Sequence, residues 1–119
     1  MTTRRAFVSG LLAVLAGARA ARAHHSTAMY DSANPVTVKG AVKRFEWTNP
    51  HAYIYLDVPG VGEWEVELMS LNHLRSYGWT RKTVNPGDEI TCTGAPAKSG
   101  VHSMIASVIK LSDGREIRS

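Results

Sequence analysis

With a single cysteine, Cys92, among its 119 residues, the chain cannot form an internal disulfide. Its fold must rest on a hydrophobic core, whatever the redox state of its compartment. Acidic residues are missing from the first thirty positions, where Arg4, Arg5, Arg19 and Arg22 stand unopposed. Nothing approaches the run of roughly 20 apolar residues that a membrane-crossing helix needs. Internal repeats and low-complexity tracts are absent. So are a phosphate-cradling glycine loop, a CxxC pair and a Ser/His/Asp set, which removes the usual sequence grounds for assigning nucleotide, redox or acyl-transfer chemistry.

What is present begins with MTTRRAFVSGLLAVLAGARAARA, laid out as an export signal. Arg4 and Arg5 form a basic start, Ala6 to Ala18 an apolar middle, and Ala21-Arg22-Ala23 a small-x-small cleavage pattern. Ala18-Arg19-Ala20 offers the same pattern three residues earlier. The pair Arg4-Arg5 also fits a twin-arginine signal, which carries folded cargo. Residues 1–23 are therefore expected to be a cleaved leader and the mature chain to be periplasmic or secreted, with His24 at its N-terminus and no membrane span. Removing the leader changes the charge. Four of the 14 basic residues go with it, so ten basic face ten acidic and the formal net charge falls from +4 to zero. A neutral chain lacks the basic footprint of a phosphate-backbone binder, and nucleic acid is not expected as a partner.

The remaining 96 residues suffice for one small domain. Residues 24–35 are polar and turn-rich and read as an extended arm; residues 36–119 form the domain. In VTVKGAVKRFEW, Val36, Val38 and Val42 share one parity while Phe45 and Trp47 take the other. That phase slip, with Gly40 inside the run, predicts a bulge or coil in a curved sheet. HAYIYLDV (51–58) and EWEVELM (63–69) alternate cleanly about a PGVG turn and predict a hairpin. Ile54, Leu56, Val66 and Leu68 then face inward, with Tyr53, Tyr55, Glu63, Glu65 and Glu67 outward. Ser70 is a helix N-cap, Leu71 and Leu74 share a face, and Gly78 closes about two turns. EITCTG and SMIASVIKL supply two more strands, with Cys92 buried beside Ile90. An all-β chain with one short helix between its third and fourth strands has the order of a small five-stranded OB-like barrel; an open β-sandwich is the competing architecture.

His24, His25 and His51 are the candidate metal ligands. With His24 at the terminus, its α-amine and imidazole chelate one ion together, and an opposing imidazole completes a three-nitrogen set suited to Cu(II), a histidine brace. Both nitrogens shed their protons near neutrality, the amine having a pKa of about 8 and the imidazole about 6.5. His51, in WTNPH, is held at a corner by Pro50 and shares the outward parity of Tyr53, making it the expected third ligand. His25 is an alternative or fourth. Copper is the expected ion and zinc the second choice. A periplasmic protein partner would fit a binding, delivery or sensing role. His73 and His102 have no neighbour at ligand spacing and read as solvated. Met29 reads as packing on the barrel more readily than as a soft ligand. The alternative is a non-catalytic module that binds a glycan, peptide or protein through Trp47, Tyr53 and Tyr55, with Trp79 a further aromatic. An oxidative copper enzyme ranks third.

AHHS at residues 23–26, VTVKGAVKRFEWTNPHAYIYLDV, GWTRKTVNPGDEIT and LSDGREI together resemble a family of small exported bacterial proteins known as a domain of unknown function. The likeness spans nearly all of the mature chain. It implies an exported single domain and carries no activity. The positions within its motifs are His24, His25, Trp47, Asn49, Pro50, His51 and Trp79.

Overall fold

Strict alternation is what makes the second and third strands. In the computed structural model, which describes residues 27–119, Tyr53–Val58 (β2) pairs antiparallel with Gly62–Glu67 (β3), Ile54 opposite Val66 and Tyr53 opposite Glu67. Ile54, Leu56, Val66 and Leu68 are buried. Ahead of them runs β1, Val36–Glu46, whose first half pairs with β4 (Glu89–Pro96) and whose second half pairs with β2. One extra residue allows that change of partner. The register to β2 shifts between Val42 and Arg44, and Lys43 and Arg44 are both exposed where one of them should point inward. The expected phase slip is therefore present, three residues past Gly40. Gly40 itself serves a close approach, since a Cβ there would lie 2.5 Å from the Asp57 carbonyl oxygen.

The helix α1, Leu71–Ser76, is capped by Ser70, whose Oγ accepts from the His73 N–H. It gives Leu71 and Leu74 to the core and ends before Gly78, at φ +96°. After β4, Ser103–Lys110 (β5) returns antiparallel to β4 and pairs in parallel with β3 through Glu65–Ser103, Val66–Met104 and Glu67–Ile105. That parallel contact closes five strands into a barrel with the OB-like strand order, as expected from the order of elements. An open sandwich is excluded. A sixth strand, Glu116–Arg118 (β6), was not expected; it extends the far half of β5 beyond the closed barrel.

Ile54, Leu56, Val66, Leu68, Ile90, Cys92, Met104 and Ile109 fill the core. Burial pushes the Cys92 thiol up to about 12, so it stays protonated and acts as a small hydrophobe. Trp79 is also core and not a binding aromatic: it is 2% exposed and its indole N–H donates to the Arg118 carbonyl at 2.6 Å.

The β4–β5 register shifts at Thr93/Gly94, and a Cβ on Gly94 would overlap the Ile105 carbonyl oxygen and sit 2.6 Å from the Ala106 Cα. Both atoms are backbone, so no side chain can swing aside. Gly94→Ala should cost about 3 kcal/mol, the upper end of an overpacking penalty, read as a lower urea midpoint with unchanged slope. An unchanged midpoint would mean that the two strands do not approach this closely.

Candidate functional site

Because β2 alternates, the residues flanking its buried ones point out of the barrel, and His51 stands just before it at the Trp47–Pro50 corner. There the Thr48 hydroxyl donates to the His51 carbonyl at 3.1 Å. The His51 ring crosses to β3, where Nδ1 meets Glu67 Oε1 at 2.7 Å. With the carboxylate ionised, Nδ1 carries the proton and donates. The neutral ring then presents the Nε2 lone pair, the arrangement in which a carboxylate orients a metal-binding imidazole. The Tyr53 hydroxyl donates to the same oxygen at 3.4 Å. Burial first, then the charges of Glu67 and Glu65, push the Tyr53 phenol up to about 12, so it remains a donor.

His51 and Glu67 line a groove of about 310 Å³ with Leu68, Met69, Ser70, His73, Ile105 and Thr27. Thr27 belongs to the arm, and the arm is tied down. Asp31 N–H donates to the Pro96 carbonyl, Lys98 N–H to the Met29 carbonyl, and the hydroxyls of Tyr30 and Ser103 lie 2.9 Å apart. The chain therefore enters the described structure at this groove, three residues after His24. His24 and His25 themselves lie outside the described residues. Met29 is half exposed, and it is the arm's backbone and Tyr30, more than this side chain, that bind the barrel.

His73, expected to be simply solvated, is exposed but on the groove wall, its Nδ1 2.8 Å from Ser70 Oγ. His102 is exposed on one side and stacked on Trp64 on the other, the rings 5.2 Å apart. Among the described residues, no group of three or more His, Cys, Asp or Glu is placed to hold a metal.

The alternative ligand set divides. Tyr53 and Tyr55 stack on the outer face at 6.4 Å. Trp47, on the Phe45 side rather than the tyrosine face, packs edge-on against Phe45 at 5.9 Å, with the Arg75 guanidinium 5.6 Å from its ring. The tyrosine face is acidic. Glu46, Glu65 and Glu67 border the tyrosines, and Glu63 follows along β3. Its cations are Arg44, stacked 3.7 Å over Tyr55 and bonded to Glu46 at 3.2 Å, and Lys43, 3.6 Å from Glu63. Neighbour spacing in the sequence could have shown this face, since Glu63, Glu65 and Glu67 alternate with core residues; the carboxylate–histidine pair could not be seen, because register and corner together create it.

A model of a protein family of unknown function matches residues 12–106. No curated protein matches the chain in sequence. Among solved structures, the chain is similar to the S. pombe Stn1-Ten1 complex, with TM-score 0.54 and 12% identity over 65% of this chain and 57% of that one. It is also similar to TiaS in its complex with a transfer RNA and ATP, with TM-score 0.52 and 13% identity over 68% of this chain. It spans only 18% of the TiaS chain. At such identities the likeness shows the barrel fold alone.

Burial, then the charges of Glu67, Glu46 and Glu63, holds the Glu65 carboxyl above its ordinary range. A carboxyl raised in the folded state binds its proton more tightly there than in the unfolded chain, so its charge destabilises the fold at neutral pH. Glu65→Gln should therefore raise the melting temperature at pH 7. The gain should vanish once pH falls below the ordinary carboxylate range, where both states are protonated. A variant less stable at pH 7 would show that Glu65 is favourably paired.

Proposed function

The chain belongs to DUF6152, a family of unknown function, and we propose that it is a periplasmic or secreted copper-binding protein whose mature N-terminus and His51 share one ion. The observation that carries this reading is the His51–Glu67 contact at 2.7 Å, on the wall of the groove from which the arm departs. Glu67 fixes the ring with Nε2 available. His24, three residues before Thr27, brings an amine and an imidazole. Three residues of extended chain span up to about 10 Å, which matches the scale of the groove. Three nitrogens of this kind favour Cu(II) over the hard cations, with zinc next. Binding, delivery or sensing of the ion is the role that fits. The export pattern of residues 1–23 supports the location.

A second reading has its own support: the stacked Tyr53 and Tyr55 give a partner-binding surface on a barrel of OB-like order. TiaS was solved with tRNA and ATP, but a polyanion does not suit the face described here. Glu65 and Glu67 would repel phosphate, and the cations beside them, Arg44 and Lys43, are already paired with Glu46 and Glu63. A glycan or a peptide carrying positive charge fits better. The readings separate on two variants. His51→Ala should abolish copper binding and leave peptide or glycan binding intact; Tyr53→Ala should do the reverse.

The brace depends on position as much as on residue type. One alanine added before His24 keeps every imidazole but takes the amine out of chelating reach of its own side chain. The extended protein should melt at the same temperature without metal and bind copper at least tenfold more weakly, about 1.4 kcal/mol, by competition titration. Equal affinity would contradict the proposal, as would a mature chain that begins at Ala21.

A further inference from the structure

We infer that Tyr53, bordered by Glu65 and Glu67, is the seat for the guanidinium of an arginine side chain on a partner peptide, an assignment that rests on the second reading above, of a partner-binding tyrosine face. The strand register lays two rows of three residues across β1, β2 and β3: Arg44–Tyr55–Glu65 and Glu46–Tyr53–Glu67. Directly opposed side chains in such rows stand about 5 Å apart at Cβ. The first row holds its own cation. Arg44 lies 3.7 Å over the Tyr55 ring and bonds Glu46 at 3.2 Å. The chain itself thus shows how this face holds a guanidinium, with a tyrosine ring beneath it and a carboxylate beside it. The second row has the ring and two carboxylates but no cation. Among the described residues, the cations over aromatic rings are Arg44 on Tyr55 and Arg75 on Trp47.

The carboxylates divide in the same way. Glu46 and Glu63 are paired with Arg44 and Lys43. Glu67 meets the His51 ring and the Tyr53 hydroxyl, contacts that leave its negative charge in place with the imidazole neutral. Glu65 forms no ion pair among the described residues. Burial, then the charges of Glu67, Glu46 and Glu63, already holds its carboxyl above the ordinary range, and an incoming cation relieves that repulsion. Arginine suits the seat better than lysine, because a flat guanidinium stacks on a ring and turns its N–H groups toward a carboxylate at the same time. On an open sheet face one cation–π contact is weak, so a free amino acid is not held. A peptide adds further contacts along β2. A neutral glycan would stack on the ring and leave the charge of Glu65 unanswered.

The correctly processed, metal-free chain is titrated with the capped peptide Gly-Arg-Gly-Arg-Gly and followed by nuclear magnetic resonance of the tyrosine rings and the Glu65 and Glu67 amides. The Tyr53 signals should shift and saturate. Citrulline in place of both arginines keeps the shape, removes the charge and should abolish binding; lysine should weaken it by about threefold. Glu65→Gln and Tyr53→Leu should each weaken it by about fivefold, with melting temperatures as controls for folding, while Tyr53→Phe keeps the ring and should bind as wild type does. Equal binding of the citrulline or lysine peptide, or wild-type affinity in Glu65→Gln, would overturn the assignment. If chitotriose shifts Tyr53 and the arginine peptide does not, this inference falls and the partner-binding reading stands. If neither probe shifts it, both fall.

Discussion

Three parallel rungs between β3 and β5 turn a curled meander into a barrel, and the site follows from that closure. The rungs set Ser103 beside Glu65 and Ile105 beside Glu67. Ser103 then receives Tyr30, and the neighbouring Pro96 and Lys98 bind the arm's backbone. Without closure the arm would have no reason to run past the start of β2. With it, Thr27 joins His51 and Glu67 on one wall. Closure in turn depends on the curvature supplied at two register shifts, Lys43 in β1 and Gly94 facing β5, each a point where one extra residue bends a strand.

The outer face carries the consequences of alternation. Every residue that shields the core on β2 and β3 is matched by an outward neighbour, and those neighbours are tyrosine or acid. Burial first, then repulsion from neighbouring carboxylates, raises Glu65, a cost that the fold sustains at neutral pH. Glu67 escapes isolation by accepting hydrogen bonds from the His51 ring and the Tyr53 hydroxyl. The same carboxylate thus meets both an imidazole and a phenol. A surface built in this way suits a cation, whether a metal at its His51 end or a positively charged group over the tyrosines.

The barrel was readable because its information is local. Period-two alternation in HAYIYLDV and EWEVELM, a phase slip in β1, and Ser70 and Gly78 around the helix each depend on residues a few positions apart. Strand β6 was not readable: Glu116, Ile117 and Arg118 are too few to show a period, and β5 pairs with them only through the turn at Asp113 and Gly114. Trp79 and Trp47 carried an aromatic signal that sequence cannot divide between core and surface. Buried hydrogen bonding to Arg118 settles the first, and packing on Phe45 the second. His51 was legible from its parity and the rigidity of WTNPH. Its partner Glu67 was not, since the pairing needs the hairpin register and the diagonal reach of the ring. The position of His73 on the groove wall lay beyond sequence for the same reason: it comes from tertiary structure, not from spacing.

If the terminal residue of the mature chain and His51 share one ion, diffraction at the copper absorption edge will show it directly. Crystals of the processed chain grown with one equivalent of Cu(II) should give a single strong anomalous peak in the groove, about 2 Å from His51 Nε2 and from both nitrogens of His24, the usual metal–nitrogen distance. An ion found elsewhere, or one bound at His51 with the His24 amine pointing away, would contradict the account.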